Sequence, residues 1–158
     1  MTTFNVLQRG RPEKIVLLDW QITRYCSPVL DLLYFTFVCT DHELRVKHYD
    51  ELLGIYHHSL KNLLDHLGGD TMSQFPFTAL LRQLKQFGKF GVIMAAMLIP
   101  MLATKAEDLP DMDYMSENMD NQDPEYMKEM MKKFSTGNDN YASRMKGALD
   151  DAMKFGYL

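Results

Sequence analysis

Cysteine is scarce in this chain. Among its 158 residues only Cys26 and Cys39 carry a thiol, too few and too far apart for a zinc ribbon or a CxxC redox pair. Excess charge of one sign is missing as well. The formal net charge of −4 provides no basic field for nucleic acid or an anionic membrane surface, so neither is an expected partner. The apolar run from Gly91 to Ala103 falls short of the roughly 20 residues that span a bilayer. The N-terminal MTTFNVLQRGRPEK has no long apolar segment and no cleavage-site pattern, and with two thiols this fits a reducing cytoplasm. No sequence repeat is visible. Gly88-Lys89-Phe90-Gly91 lacks phosphate-loop spacing, and His42-Glu43 lacks the second histidine of an HExxH zinc motif. The five histidines, at 42, 48, 57, 58 and 66, are expected at the surface or its boundary. What remains is ordinary globular composition, 46% hydrophobic and 24% charged, in a length that suits one domain or a piece of one. Thirteen methionines read as adaptable core filling.

The chain is organised around Lys14 to Phe37, KIVLLDWQITRYCSPVLDLLYFTF. Ile15-Val16-Leu17-Leu18 is a short apolar run, half of it β-branched, which reads as a strand covered on both faces. Asp19 follows at the exit of that strand, where open sheets place ligand-binding groups. A carboxylate there suits Mg²⁺, which takes hard oxygen donors; the plainer reading is an acid that ends a strand and caps a turn. Ser27-Pro28 is a helix start, with Ser as N-cap and Pro at the first helical position. Leu30, Leu33, Tyr34 and Phe37 then share a face. Asp31 lies in the first turn, where the helix dipole favours negative charge.

Asp19-Trp20-Gln21, then Arg24, then Ser27-Pro28-Val29-Leu30-Asp31-Leu32-Leu33-Tyr34 together resemble the metal-binding segment of the aminoglycoside phosphotransferase and choline kinase group. The likeness is strongest to the ecdysteroid kinase-like branch, also called CHK kinase-like. That branch carries Asp-Phe-Gln, Arg, and Ser-Pro-x-x-Asp-Leu-x-Tyr. Trp20 stands where Phe is usual and keeps an aromatic. The resemblance continues weakly to Phe155-Gly156-Tyr157-Leu158, which implies that the chain corresponds to the C-terminal part of the family's domain.

The resemblance implies ATP-dependent transfer of phosphate to a hydroxyl of a small molecule, an ecdysteroid-type or other small alcohol, with Mg²⁺ and ATP as cofactors. It makes Asp19 a metal ligand. Asn5-Val6-Leu7 matches the end of the family's His-Gly-Asp-x-x-x-x-Asn loop, which would make Asn5 the second metal ligand; a loop residue near a chain end is the competing reading. In that register the catalytic Asp falls immediately before Met1, so no catalytic residue is assigned and the chain alone is expected to be inactive. Asp31 corresponds to the acid that steadies the catalytic loop by accepting its backbone N–H groups. Arg24 is a candidate phosphate contact, or simply a solvated residue.

The remaining segments complete the expectation. Residues 4–18 read as two strands joined by the turn Arg9-Gly10-Arg11-Pro12. Thr40-Asp41-His42-Glu43 reads as a capping box with Thr40 at N-cap. Behind it Tyr49, Leu52, Leu53, Tyr56, Leu60, Leu63, Leu64 and Leu67 form a helical stripe that Gly68-Gly69 ends. A helix from about Phe77 to about Thr104 carries Phe77, Leu80, Leu81, Leu84, Phe87, Gly91, Met94, Leu98 and Met101 on one face. Gly88 and Gly91 would admit a neighbouring helix closely, and Pro100 should kink or end this one. Residues 105–125 are acidic and hold two prolines, a solvated loop or the rim of a substrate pocket. A short helix is expected from Pro124 to about Phe134, and a last one uses Tyr141, Met145, Leu149, Ala152 and Phe155 as its inner face.

The expected fold class is therefore α+β and mainly helical, a truncated C-terminal lobe of a protein-kinase-like fold. Its parts are a hairpin at 4–20, a helical layer at 28–104, an acidic loop at 105–125 and C-terminal helices at 125–156. An under-covered strand at Ile15 to Leu18 would invite self-association. The alternative is a non-catalytic helical interaction domain or the product of an incomplete gene model.

Overall fold

A computed structural model describes residues 2–8, 11–18, 23–103, 125, 128 and 139–158, with side chains placed for 23–102, 125, 128 and 141–158. The described chain is mainly helical. Strands β1 (Thr2–Gln8) and β2 (Arg11–Leu18) pair antiparallel, Phe4 opposite Val16 and Asn5 opposite Ile15. The register shifts between Val6 and Leu7. Helices follow as α1 (Val29–Cys39), α2 (His42–His66), α3 (Thr71–Gln74), α4 (Phe77–Ala103) and α5 (Asp139–Lys154). The expected short helix at 124–134 and the acidic segment at 105–125 lie outside the described residues, apart from Glu125 and Lys128.

The core forms where α1, α2, α4 and α5 meet, from Val29, Leu33, Phe37, Tyr49, Leu53, Leu80, Leu84, Val92, Ala95, Ile99, Ala148, Ala152 and Tyr157. Its closest approaches occur at the two glycines singled out in α4. A Cβ on Gly91 would stand 2.7 Å from Cδ2 of Phe37, and one on Gly88 would stand 2.3 Å from Cγ of Tyr157. The absent side chains let α1 and the C-terminal aromatic lie directly on the α4 backbone.

Both long-range helix ends are set by glycine in the left-handed region. Gly68 (φ +76°) closes α2, its N–H donating to Asp65 while that of Gly69 donates to Leu64. Gly156 (φ +73°) closes α5 in the same way, with Gly156 donating to Met153 and Tyr157 to Ala152. These paired bonds satisfy carbonyls that a helix end otherwise leaves open. The second of them also turns the chain so that Tyr157 enters the core.

Several expectations need correction. The N-cap of α2 is Asp41, whose carboxylate accepts from the Leu44 N–H at 2.8 Å. Thr40 belongs to the end of α1, where its hydroxyl donates to the Thr36 carbonyl. Two adjacent residues were both competent caps, and Arg45 draws Thr40 the other way. The apolar stripe of α2 is buried only in its first half. Leu63 is 57% exposed and Leu67 74% exposed, because α5 packs on α2 near its start, around His42 and Arg45. On α5 the expected inner face holds at Ala152, in the core, and at Tyr141, Met145 and Phe155, packed against it, but Leu149 is 39% exposed while Ala148 and Asp151 are fully buried. Small residues let α5 close in there, and a Cβ on Gly147 would stand 2.8 Å from Cβ of His42. On α4, Phe77 and Leu81 lie outward and Val92, Ala95 and Ile99 lie inward. Pro100 does not end α4, which continues to Ala103; only the single bond to the Ala96 carbonyl is forfeited so near the terminus. By length and composition alone, Thr71–Leu102 could cross a membrane, with 39% of its most apolar window buried within the fold.

Candidate functional site

α1 starts one residue later than expected: its N-cap is Pro28, which makes no side-chain cap, and Ser27 stands just before it. The Ser27 hydroxyl accepts from the Val29 N–H at 3.3 Å and donates to Oε1 of Gln83 on α4 at 2.5 Å. The Ser27 carbonyl accepts from the Leu30 N–H, and that of Pro28 from the Leu32 N–H. The segment after β2 is thereby pinned to α4 at a defined point. Asp31 occupies the first turn of α1 and is exposed. Burial, and secondarily the negative charge of Asp31, raise the Tyr56 phenol on α2 above its ordinary pKa. Arg24 is exposed. Asn5 lies on β1 opposite Ile15 of β2. Asp19, Trp20 and Gln21 lie outside the described residues. Among the described residues no three His, Cys, Asp or Glu side chains come together as a metal site. Asp31 and Arg24 are thus both solvent-facing, in the turn that leads into α1, and no described contact joins them.

The strongest polar cluster was not anticipated. Arg45, 1% exposed, is the largest fully buried side chain among the described residues, and it meets Asp151, 0% exposed. Nε of Arg45 donates to Oδ2 of Asp151 at 2.6 Å. Its Nη1 donates to the Thr40 carbonyl at 2.6 Å and to the Thr36 carbonyl at 3.4 Å. The guanidinium also lies 5.5 Å over the Phe37 ring, close enough for a cation–π contribution. Arg144 on α5 donates to the Val38 carbonyl at 2.7 Å. Two arginines thus donate to the Thr36, Val38 and Thr40 carbonyls at the end of α1, where positive charge is favoured. Nδ1 of His42 comes within 3.0 Å of the other Asp151 oxygen, yet it is not aligned as a hydrogen bond. The available signal was spacing: Arg45 precedes Tyr49 and Leu53 at four-residue intervals, and Asp151 adjoins Ala152.

A shallow groove of about 460 Å³ opens between α2, α4 and the C-terminal turn. Tyr49, Leu53, Leu84, Phe155 and Tyr157 form its floor, and Asp50, Arg82 and Lys85 stand on its rim. Phe155 stacks on Tyr49 with centroids 4.0 Å apart. The Tyr49 and Tyr157 hydroxyls bond each other at 2.5 Å. Burial raises both phenols above the ordinary tyrosine range, and the neighbouring tyrosine adds to the rise at Tyr49.

Comparison with known families bears on the segment around α1. Residues 3–69 match the ecdysteroid kinase-like family. The match takes in β1, β2, α1 and α2 and stops before α3. The ecdysteroid kinase-like segment therefore contains Asn5, Asp19, Arg24 and Asp31, whereas the weak likeness at Phe155-Gly156-Tyr157-Leu158 falls outside it. No curated protein and no solved structure matches the chain.

Proposed function

We propose that this chain serves an ATP-dependent phosphotransferase that acts on a hydroxyl of a small molecule, an ecdysteroid-like alcohol or a related one. The observation that carries this reading is the ecdysteroid kinase-like match over residues 3–69, which holds Asp19-Trp20-Gln21, Ser27-Pro28 and Asp31 in one short stretch. A carboxylate and an amide oxygen, from Asp19 and Asn5, are the hard donors that Mg²⁺ prefers, and the metal would neutralise charge on the ATP phosphates. Exposed Asp31 is available to accept backbone N–H groups of a catalytic loop, and exposed Arg24 is available to a phosphate. The bond from Ser27 to Gln83 supports the reading, since it holds the Ser-Pro of the family pattern against α4.

Phosphoryl transfer depends on positioning and electrostatics, including an Asp that orients the acceptor hydroxyl. The sequence contains no His-Gly-Asp, so the 158-residue chain is proposed to bind Mg-ATP weakly and to transfer no phosphate by itself.

Trp20, the single tryptophan, adjoins Asp19 and provides the test. Its emission is titrated with Mg-ATP in this chain and in a longer one that supplies a nucleotide-binding lobe and a His-Gly-Asp loop. The longer chain should bind and transfer phosphate to a small alcohol, and Asp19→Ala should abolish transfer. Transfer by the 158-residue chain that persists in Asp19→Ala would overturn the reading.

A further inference from the structure

The groove between α2, α4 and the C-terminal turn has a composition that defines what it would take. Its lining is mainly apolar, and the Tyr49 and Tyr157 hydroxyls bond each other, which uses one of their two O–H groups as donor. Leu53, Leu84 and Tyr157 are fixed there by burial in the core, and Phe155 is held flat against Tyr49. The apolar surface that the groove offers is therefore mainly that of Leu81, 40% exposed, and of half-buried Phe155, over the buried Tyr49, Leu53, Leu84 and Tyr157. Charge is confined to the rim. Arg82 and Lys85 stand on one face of α4, three residues apart, both exposed and with no ion pair among the described residues. Asp50 faces from α2. Two cations against one carboxylate leave the rim net positive.

We propose that this groove binds a small molecule with an apolar ring body and a single anionic group, the ring against Leu81 and Phe155 and the anion between Arg82 and Lys85. Sites of this kind combine an apolar lining with a few placed polar groups. A phosphate, sulfate or carboxylate satisfies the same two cations, while a free inorganic anion gains nothing from the floor. Asp50 selects against a second negative charge on the α2 side and accepts from a ligand hydroxyl. The groove uses none of Asn5, Asp19, Arg24 or Asp31, so this site stands apart from the proposed phosphoryl-transfer segment.

The test uses 1-naphthyl phosphate, 1-naphthol and inorganic phosphate, each titrated by calorimetry in low salt without Mg²⁺ or ATP. Naphthyl phosphate is expected to bind about tenfold more tightly than naphthol, the advantage shrinking several-fold at 300 mM salt as screening rises, and inorganic phosphate should not saturate. Arg82→Gln/Lys85→Gln should reduce naphthyl phosphate to the affinity of naphthol, with an unchanged thermal midpoint because both residues are exposed. Asp19→Ala should leave binding as it was, which separates this site from the transfer segment. Equal affinity for the two naphthyl compounds, no saturable binding of naphthyl phosphate, or an effect of Asp19→Ala as large as that of the rim variant would each overturn the proposal.

Discussion

Replacing Arg45 with methionine removes the cation that three elements share. Methionine keeps much of the aliphatic volume, so the cavity left behind is small, and the dominant effect is electrostatic. Asp151, 0% exposed, would lose its bond from Nε at 2.6 Å and have only the misaligned His42 ring nearby. Breaking a buried pair from one side costs about 3–5 kcal/mol. The Thr40 and Thr36 carbonyls lose a charged donor at the same time, and each unsatisfied group adds about 1–3 kcal/mol unless water reaches it. A domain is stable by about 5–15 kcal/mol in all, so Arg45→Met should lower the thermal midpoint by roughly 6–20 °C at about 2–4 °C per kcal/mol. Asp151→Leu should cost a comparable amount, by stranding the guanidinium. The informative measurement is the double-mutant cycle by urea unfolding. With both partners apolar the ion-pair loss cancels and only the carbonyls stay unsatisfied, so Arg45→Met/Asp151→Leu should be about 2 kcal/mol or more less destabilised than the sum of the single changes. Simple additivity would refute the claim that the two charges depend on each other.

The glycines of the fold should respond in opposite directions. Gly54→Ala on α2 meets nothing within 4 Å and should stabilise by up to about 1 kcal/mol through helix propensity, whereas Gly88→Ala must displace Tyr157 and should destabilise by about 1–3 kcal/mol, both read from urea midpoints. Asp41→Ala should cost about 1 kcal/mol by removing the cap on the Leu44 N–H, while Glu43→Ala, no part of a capping box here, should stay within about 0.5 kcal/mol in the same assay. Alkaline pH provides a separate check. Burial raises the Tyr49 and Tyr157 phenols, so above the unfolded tyrosine value of about 10 the unfolded chain holds fewer protons than the folded one and stability falls as pH rises. Urea midpoints measured from pH 9 to 11 should show that fall, and Tyr49→Phe/Tyr157→Phe should flatten it.

Helix existence was legible wherever period and punctuation agreed. The bounds of α2 and α4 follow from their apolar spacing and from Gly68-Gly69, and the close approach at Gly88 and Gly91 follows from the missing side chains. What periodicity leaves open is whether a face finds a partner. Leu63 and Leu67 continue the α2 stripe yet stay exposed, because the helices that cover Tyr49 and Leu53 do not reach so far. The departure at Leu149 on α5 has a related cause: Gly147 and Ala148 allow closer packing than Leu149 does, so the small residues go inside. Arg45 and Asp151 were illegible as a pair because each looks like an ordinary surface charge until the other is placed beside it, 106 positions along the chain. The ecdysteroid kinase-like pattern was readable from side-chain order alone, and Asp19, the metal ligand that the resemblance implies, lies outside the described residues.

The contacts that close this core join positions far apart in sequence. Arg45 reaches Asp151, Tyr49 reaches Tyr157 across 108 positions, and Gly88 receives the ring of Tyr157. None of these contacts requires the backbone between Ala103 and Asp139 to be continuous. Two polypeptides divided within that interval would carry the same complementary surfaces, a buried cation on one and its carboxylate on the other. Their union would be a bimolecular association in place of an internal closure, governed by concentration instead of loop length. The fold is thus a natural candidate for reassembly from separately produced halves, with the α5 piece acting as a ligand for the larger one.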